Sequence, residues 1–184
     1  MENIFEKIAK PTITHFRIDD AEDLLKRGLK HFIGDDYKWL PEYNEIVEWL
    51  SDNKGKGLLC MGNCGRGKTV ICLNILSAVF QYVLSQNYNI YDSVELGDKI
   101  EDIKSFGCNI MIDDIGLEQE FSRYGEKHIA FSEIVDIAEK KGLLLVITTN
   151  LNPKQLKSKY GERTLDRLKS ITKCVVFKGN SLRG

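Results

Sequence analysis

Residues 62–69 read Gly-Asn-Cys-Gly-Arg-Gly-Lys-Thr and match every fixed position of the phosphate-binding pattern G-x-x-x-x-G-K-[ST]. Glycines let the backbone turn so that successive N–H groups point at one anion. The lysine supplies a charge for the β- and γ-phosphates, and the threonine can bind Mg²⁺. Apolar runs on both sides predict strand, loop and helix rather than a glycine-rich surface turn. The sequence therefore predicts a nucleoside triphosphate site made by Gly62, Asn63, Cys64, Gly65, Arg66, Gly67, Lys68, Thr69 and Val70.

Length and composition are those of one globular domain. The chain has 184 residues, of which 42% are hydrophobic and 29% charged, and no apolar run is long enough to cross a membrane. The five cysteines are odd in number and lie mostly in apolar runs, which is typical of reduced thiols in a cytoplasmic protein. We therefore expect a cytoplasmic protein without a membrane partner.

Basic residues are concentrated towards the C-terminus. From residue 151 onward there are nine lysines and arginines and two acidic residues, although the whole chain has a net charge of −1. This asymmetry is typical of a segment that faces an anion, such as a nucleotide, a nucleic acid or an acidic neighbouring surface. A basic helix face in solvent is the alternative.

Strands alternate with helices along most of the chain. Continuous apolar runs predict five strands, at 57–61, 88–91, 109–113, 143–148 and 174–177. Between the third and fourth runs, apolar residues recur at helical spacing over 131–138, as in a helix packed on a sheet. This order predicts an α/β fold, a three-layer sandwich with a five-stranded parallel sheet.

The chain divides into two parts. Residues 1–52 read as a helical segment packed on the core, with one helix from Asp20 to Leu29 and another that starts at Pro41. Residues 53–184 form the predicted core. Phe16 and Ile18 of the first part are candidates to lie near the base of the bound nucleotide, which the resemblance given below implies is adenine.

Two carboxylates, Asp113 and Asp114, end the predicted third strand. Ligands bind at the carboxyl ends of the strands in an open parallel sheet, and the phosphate-binding loop follows the first strand at that same edge. We therefore expect Asp113 to hold Mg²⁺ together with Thr69, and Asp114 to orient or deprotonate the attacking water. A pair that only caps the strand is the alternative.

Asn150 ends the fourth predicted strand, where its amide could bind the attacking water or the γ-phosphate. The same run would also suit a turn before a helix that starts at Asn152-Pro153. Further along, Arg163 and Arg167 lie four residues apart on one helical face. Arginine beside a phosphate, often from a neighbouring subunit, stabilises the charge that develops in phosphoryl transfer. Surface arginines bridged to the adjacent Glu162 and Asp166 are the alternative.

Five motifs occur in order: the phosphate-binding loop, Ile-Asp-Asp-Ile-Gly at 112–116, Ile-Thr-Thr-Asn-Leu at 147–151, Tyr-Gly-Glu-Arg-x-x-x-Arg-Leu at 160–168 and Gly-x-Ser-x-Arg at 179–183. In order and spacing they resemble the bacterial replicative-helicase loaders of the DnaC/DnaI type. The insertion-sequence helper ATPase IstB is a near relative. The resemblance covers roughly residues 55–184.

The resemblance implies a P-loop NTPase of AAA+ type. Lys68 and Thr69 would be its Walker A residues, and the pair at 113–114 its Walker B acids. Asn150 would be the sensor-1 residue.

The resemblance also assigns the arginines. Arg167 would be the arginine finger that acts on the ATP of a neighbouring subunit, with Arg163 as the weaker candidate. Arg183 matches the family tail without an assigned role.

At the level of function, the resemblance implies an ATPase that uses ATP and Mg²⁺ and assembles through ATP as a homo-oligomer. A replicative helicase or a transposase would be its partner, and single-stranded DNA a further one. Because the second Walker B acid is Asp114 rather than a glutamate, the side chain holds the water less closely. We therefore expect slow turnover that assembly or DNA stimulates.

Two departures from the family pattern matter. Helicase loaders usually carry a separate helicase-binding domain, whereas only residues 1–52 precede this core. The chain ends just past the fifth strand, so we expect no C-terminal helical lid. Two other functions stay open: a small-molecule P-loop kinase, and a switch that binds ATP without hydrolysing it. A kinase usually needs an arginine-rich lid, and the stretch from Ile115 to Gly125 holds only Arg123 as a basic residue.

Overall fold

The computed structural model describes residues 14–105, 107–118, 121–123, 126–179 and 181. Its strands are β1 (Gly57–Gly62), β2 (Tyr88–Asp92), β3 (Asn109–Ile115), β4 (Phe121–Arg123), β5 (Glu126–His128), β6 (Leu145–Thr149) and β7 (Thr172–Phe177). Five of them form one parallel sheet in the order β2-β3-β6-β1-β7, and β4 pairs with β5 as a separate antiparallel hairpin. The carboxyl ends of the five parallel strands therefore share one edge.

Helices cover both faces of the sheet. Five of them are α1 (Ala21–Ile33), α2 (Pro41–Ser51), α4 (Leu96–Ser105), α5 (Ala130–Lys141) and α6 (Pro153–Ile171). A further helix, α3 (70–83), follows β1 and lies between α2 and α4 in the chain. Helix α3 consists of a π-helical segment (Val70–Ile75), an α-helical stretch (Leu76–Ala78) and a second π-helical segment (Val79–Val83). None of the helices formed by the described residues combines the length and apolar character that a membrane span requires.

Alternate residues of β1 divide the interior into two layers. Leu58 and Cys60 pack with α1, α2 and α3, whereas Leu59 and Met61 pack with α4, α5 and α6. The division arises because successive side chains of a strand point to opposite faces of its sheet. The predicted α/β fold, with three layers and a five-stranded parallel sheet, is confirmed.

The segment before β1 packs into the same core. The Phe16 ring lies 5.2 Å from the Trp49 ring of α2 and 5.8 Å from the Phe80 ring of α3, centroid to centroid. The Asn53 side chain accepts a hydrogen bond from the Phe16 N–H at 2.9 Å and donates one to the Thr14 carbonyl at 2.7 Å. Rings and hydrogen bonds therefore fix the start of the described chain to the helical layer formed by α2 and α3 and to the turn before β1.

Some element bounds differ from the sequence prediction. The fourth parallel strand begins at Leu145 rather than at residue 143, because Gly142 ends α5 in the left-handed conformation and the Leu143 N–H still bonds back to Ala138. Helix α4 and the β4–β5 hairpin were not predicted. Buried Leu96, Ile100 and Ile103 do have helical spacing, so the sequence carried a signal for α4.

Candidate functional site

The phosphate-binding loop joins β1 to α3 in a shape that its glycines allow. Gly62, Gly65 and Gly67 have φ angles of 138°, 74° and 84°, which residues with a Cβ rarely adopt. A Cβ on Gly62 would also lie 2.1 Å from the carbonyl oxygen of Phe177 in β7. Helical hydrogen bonding begins here, since the Ile71 N–H donates to the Gly67 carbonyl at 3.0 Å. The loop therefore encloses a helix N-terminus, an arrangement that binds anions.

Lys68 is held by three acceptors. Its Nζ donates to the backbone carbonyls of Gly62 at 2.8 Å and Asn63 at 2.9 Å, and to Asn150 Oδ1 at 2.9 Å. Burial lowers the pKa of the Lys68 ammonium from its usual value, while nearby acidic groups including the pair at 113–114 oppose the shift. An entering anion would oppose this shift, since a nearby opposite charge favours the ionised form.

Thr69 and Asp113 meet across the gap between α3 and β3. Thr69 Oγ1 lies 3.2 Å from each Asp113 carboxylate oxygen, and the Thr148 hydroxyl in β6 donates a short hydrogen bond to Asp113 Oδ1. Hydroxyl and carboxylate oxygens are ligands that Mg²⁺ prefers. Thr69 and Asp113 therefore suit a metal ion. Thr148, which positions the carboxylate, was not among the predicted site residues.

A β-bulge turns Asp114 towards the loop. The β3–β6 register runs through the Ile112–Ile147 pair and then shifts, so that Ile115 pairs with Thr149. Within the bulge Asp114 has a φ of 51°, and its N–H donates to Thr148 Oγ1 at 2.9 Å. Bulges of this kind re-aim a side chain next to a functional site.

Asn150 joins the lysine to the second acid. Its Oδ1 accepts from Lys68, and its Nδ2 donates to Asp114 Oδ1 at 3.1 Å, so both ends of the amide are used. Desolvation, followed by the negative charge of Asp113, raises the pKa of Asp114 from its usual value. A partly buried carboxylate with a raised pKa is a candidate proton acceptor.

These groups surround a cleft of about 270 Å³. Loop residues 64–70 line it, together with Asp114 and Asn150 from the strand ends. A triphosphate with Mg²⁺ fits this site, because an ammonium, a helix N-terminus and the Thr69 hydroxyl line the cleft, and the Asp113 carboxylate contacts that hydroxyl.

The N-terminal segment closes another side of the cleft. Ile33 at the end of α1 and Tyr43 in α2 line it. Phe16 and Ile18, the expected candidates near an adenine, lie in the core around α2 and α3 instead. Apolar contact with a base is therefore available from Ile33 and Tyr43, which the sequence did not single out.

An ion pair joins the loop to α2. Arg66 Nη2 lies 2.7 Å from Glu42 Oε1, and the two side chains are 9% and 5% exposed. The loop also contacts the chain after β7, because Asn63 Nδ2 donates to the Gly179 carbonyl at 3.2 Å. Arg183, the last residue of the fifth motif, lies outside the described residues.

Glu42→Ala is expected to destabilise the protein by about 3 kcal/mol, because it leaves the buried Arg66 guanidinium without this carboxylate. Urea unfolding measures the change. Glu48→Ala on the same helix is the matched control, since the Glu48 carboxylate is 68% exposed and pairs with Lys173 at the surface. Equal midpoints for the two variants would contradict a structural role for the buried pair.

Both predicted arginines lie on α6 and face α5. Arg167 Nη1 forms a short ion pair with Asp136, and its Nε lies 3.1 Å from Glu139 Oε2. Arg163 Nη2 lies 3.8 Å from Asp136 Oδ2, and its side chain is 77% exposed compared with 22% for Arg167. Neither arginine lines the cleft of its own chain.

Within α6, whose residues are all described, the two arginines do not form ion pairs with the acidic residues of their own helix, which was the alternative. Their carboxylate partners belong to α5, and Glu162 pairs with Lys157 at 2.7 Å instead. The arginines are therefore held by tertiary contacts at the outer side of the α5–α6 layer.

Comparison with known proteins gives a match only at the level of structure. No protein-family model and no curated protein matches the chain. The crystal structure of the DnaC helicase loader matches over 89% of this chain and 93% of its own, with a TM-score of 0.54 and 18% identity. The structure of DnaI matches over 90% and 86%, with a TM-score of 0.55 and 20% identity. AMPPCP-bound DnaA from Aquifex aeolicus matches over 78% and 49%, with a TM-score of 0.56 and 11% identity.

The chain has the P-loop AAA+ fold. At identities of 11–20% the fold is what these proteins share with it. The resemblance to DnaC and DnaI, which the motifs indicated, is confirmed at that level. This fold also explains why the phosphate-binding loop, the strand-end acids and Asn150 meet, because three neighbouring strands, β1, β3 and β6, end at one edge.

Proposed function

We propose that this chain is an ATP-hydrolysing AAA+ protein of DNA replication or transposition, similar to the helicase loaders, which assembles with ATP between its subunits. The observation that carries the proposal is the unbroken contact from Lys68 through Asn150 to Asp114, with the Thr69–Asp113 contact beside it. A phosphate-binding ammonium, a metal-binding pair and a candidate base thus lie together. The fold likeness to AMPPCP-bound DnaA supports nucleotide binding.

The loop and the first acid bind the nucleotide. Backbone N–H groups of residues 64–69 and the Lys68 ammonium hold the phosphates, and Ile33 and Tyr43 contact the base. Thr69 and Asp113 would hold Mg²⁺ through their hydroxyl and carboxylate oxygens. When bound, the ion neutralises negative charge on the phosphate oxygens.

The second acid and the amide act on the attacking water. Asp114 orients the water or accepts its proton, and Asn150 keeps the carboxylate in place through its Nδ2. One carboxylate oxygen of Asp114 already accepts a hydrogen bond from that amide. The aspartate side chain is also shorter than that of a glutamate, so its carboxylate lies farther from the water. We therefore expect turnover well below the roughly 10 s⁻¹ that is typical of enzymes.

The partner assignment depends on fold and charge. The matched DnaC is a helicase loader, which favours a replicative helicase as partner and leaves a transposase as the alternative. The basic stretch from residue 151 onward favours contact with single-stranded DNA or an acidic protein surface. DNA binding through phosphates would weaken steeply as salt rises.

The test is the ATPase rate per subunit, measured across protein concentrations with and without single-stranded DNA. If Arg167 completes the site of a neighbour, the rate is expected to rise at least about ten-fold between dilute and concentrated protein. Lys68→Ala at the same concentrations measures the background. A rate per subunit that stays constant would contradict assembly through ATP.

Other outcomes identify the alternative functions. Phosphate transfer to a nucleoside or a nucleoside monophosphate would indicate a small-molecule kinase. ATP binding without phosphate release at any concentration, with Mg²⁺ and DNA present, would indicate a non-hydrolysing switch.

A further inference from the structure

A buried carboxylate fastens the chain directly after the strand-end acids. Glu118 lies three residues past the end of β3, and its side chain is 2% exposed. Its Oε2 accepts from the Gly116 N–H at 2.7 Å, and its Oε1 accepts a short hydrogen bond from the Tyr160 hydroxyl in α6. The Tyr160 ring packs on Phe131 of α5, with centroids 4.8 Å apart. The carboxylate thus joins the loop after β3 to α6.

The lysine next to this tyrosine forms hydrogen bonds to the same loop after β3. Lys159 Nζ donates to the carbonyls of Gly116 at 2.6 Å and Glu118 at 3.0 Å. On its other side the loop presses on Leu151, because a Cβ added to Gly116 would lie 2.8 Å from Leu151 Cγ. The loop therefore has little freedom to move independently of α6.

Helix α6 changes direction immediately after these two residues. Gly161 has φ 82° and ψ 165°, which interrupts the helix, and the half beyond it carries Arg163 and Arg167. Among the described residues, no atom outside this stretch of the helix lies within 4 Å of the place of a Cβ on Gly161, so the kink leaves open space on that side. Beyond the kink, Leu165, Leu168 and Ile171 pack this half of α6 on the core. Polar contacts add to this packing on either side of the kink: Tyr160 bonds to Glu118 before it, and Arg167 pairs with Asp136 after it.

We propose that Tyr160 and Glu118 are positioning residues that couple the strand-end acids to the arginine-bearing half of α6. Nucleotide bound beside Asp113 and Asp114 would thereby order the arginines that a neighbouring subunit needs. The coupling rests on the proposed function, since it presumes that nucleotide binds at the loop. Burial, and then the contact with Glu118, raises the pKa of Tyr160, so its hydroxyl stays a donor at neutral pH.

Hydrogen exchange on dilute, monomeric protein tests the coupling without reference to activity. In the unmodified chain, a non-hydrolysable ATP analogue is expected to slow amide exchange at residues 62–70 and, about ten-fold, at 160–168. Tyr160→Phe keeps the ring on Phe131 but lacks the hydroxyl, so protection should remain at 62–70 and disappear at 160–168. Tyr82→Phe is the matched control, because the Tyr82 side chain is 78% exposed and should behave as the unmodified chain does.

Each unexpected exchange result contradicts a different part of the proposal. Protection at 62–70 with no response at 160–168 in the unmodified chain overturns the coupling alone, as does a Tyr160→Phe variant that responds normally. No protection at 62–70 overturns the nucleotide site and the coupling together.

A second variant covers the case in which Tyr160→Phe folds poorly. Glu118→Leu removes both hydrogen bonds of the carboxylate and offers no replacement acceptor or donor, so it should give the same loss at 160–168. The double variant should be no worse than the more severe single one, because both act through one contact. If the losses of protection in the two single variants were fully additive in the double variant, Tyr160 and Glu118 would not act through one contact.

Discussion

Lys68→Ala is expected to raise the Kd for ATP roughly a thousand-fold. The ammonium lies in the phosphate-binding loop with its donors arranged on Gly62, Asn63 and Asn150, so a phosphate needs little rearrangement to reach it. Charge-assisted hydrogen bonds contribute about 1.5–3 kcal/mol each, and losing two amounts to about 4 kcal/mol of binding free energy. Titration with a fluorescent ATP analogue measures the change.

The control for this variant is Lys140→Ala, which removes an exposed lysine of α5 far along the chain and should leave the Kd unchanged. Because Lys68 also bonds to loop carbonyls, thermal unfolding should be compared in both variants. A Kd for Lys68→Ala within about five-fold of the unmodified chain would place the nucleotide elsewhere.

Arg167→Ala is expected to lower kcat about a thousand-fold in the assembled state while leaving the affinity of the dilute chain for ATP unchanged. An arginine supplied to a neighbouring site stabilises the transition state, and removing it costs several orders of magnitude in rate. Arg163→Ala should have the smaller effect, since its side chain is 77% exposed and has only a 3.8 Å contact with Asp136.

Mixing tests whether the arginine acts between subunits. Arg167→Ala subunits have a complete phosphate-binding loop and Lys68→Ala subunits a complete α6, so an equal mixture should recover about a quarter of the sites. Asp136→Ala is the matched control for stability, because it removes the same ion pair and keeps the arginine. If Asp136→Ala lowers kcat as far as Arg167→Ala does, or the mixture recovers nothing, the effect is structural.

The fold followed from local patterns. Continuous apolar runs predicted all five strands of the parallel sheet, because a strand buried on both faces needs apolar side chains on both. The runs were less informative about bounds: residues 143 and 144 are as apolar as the strand, yet they belong to the turn that follows Gly142. The short β4–β5 hairpin carries no long apolar run, which is why it was not predicted.

The candidate site was predicted in part. The glycine spacing indicated the phosphate-binding loop, and the strand order brought Asn150 to it. Three features of the site and its surroundings could not be predicted from the sequence. Thr148, on a neighbouring strand, donates to the Asp113 carboxylate and accepts from the Asp114 N–H. Glu42 lies 24 residues before the arginine it pairs with, and Asp136 holds Arg167 from another helix. Each depends on contacts between segments far apart in sequence.

By itself the sequence determined which chemistry this chain carries: a loop whose glycines can adopt positive φ, a lysine and a threonine at its end, and acids at a strand terminus. These are local properties, because backbone freedom and side-chain charge belong to single residues. Only the tertiary structure decided how the groups face one another. The bulge that turns Asp114 towards Asn150, and the contact from Glu118 to Tyr160, exist because packing sets strand register and helix direction.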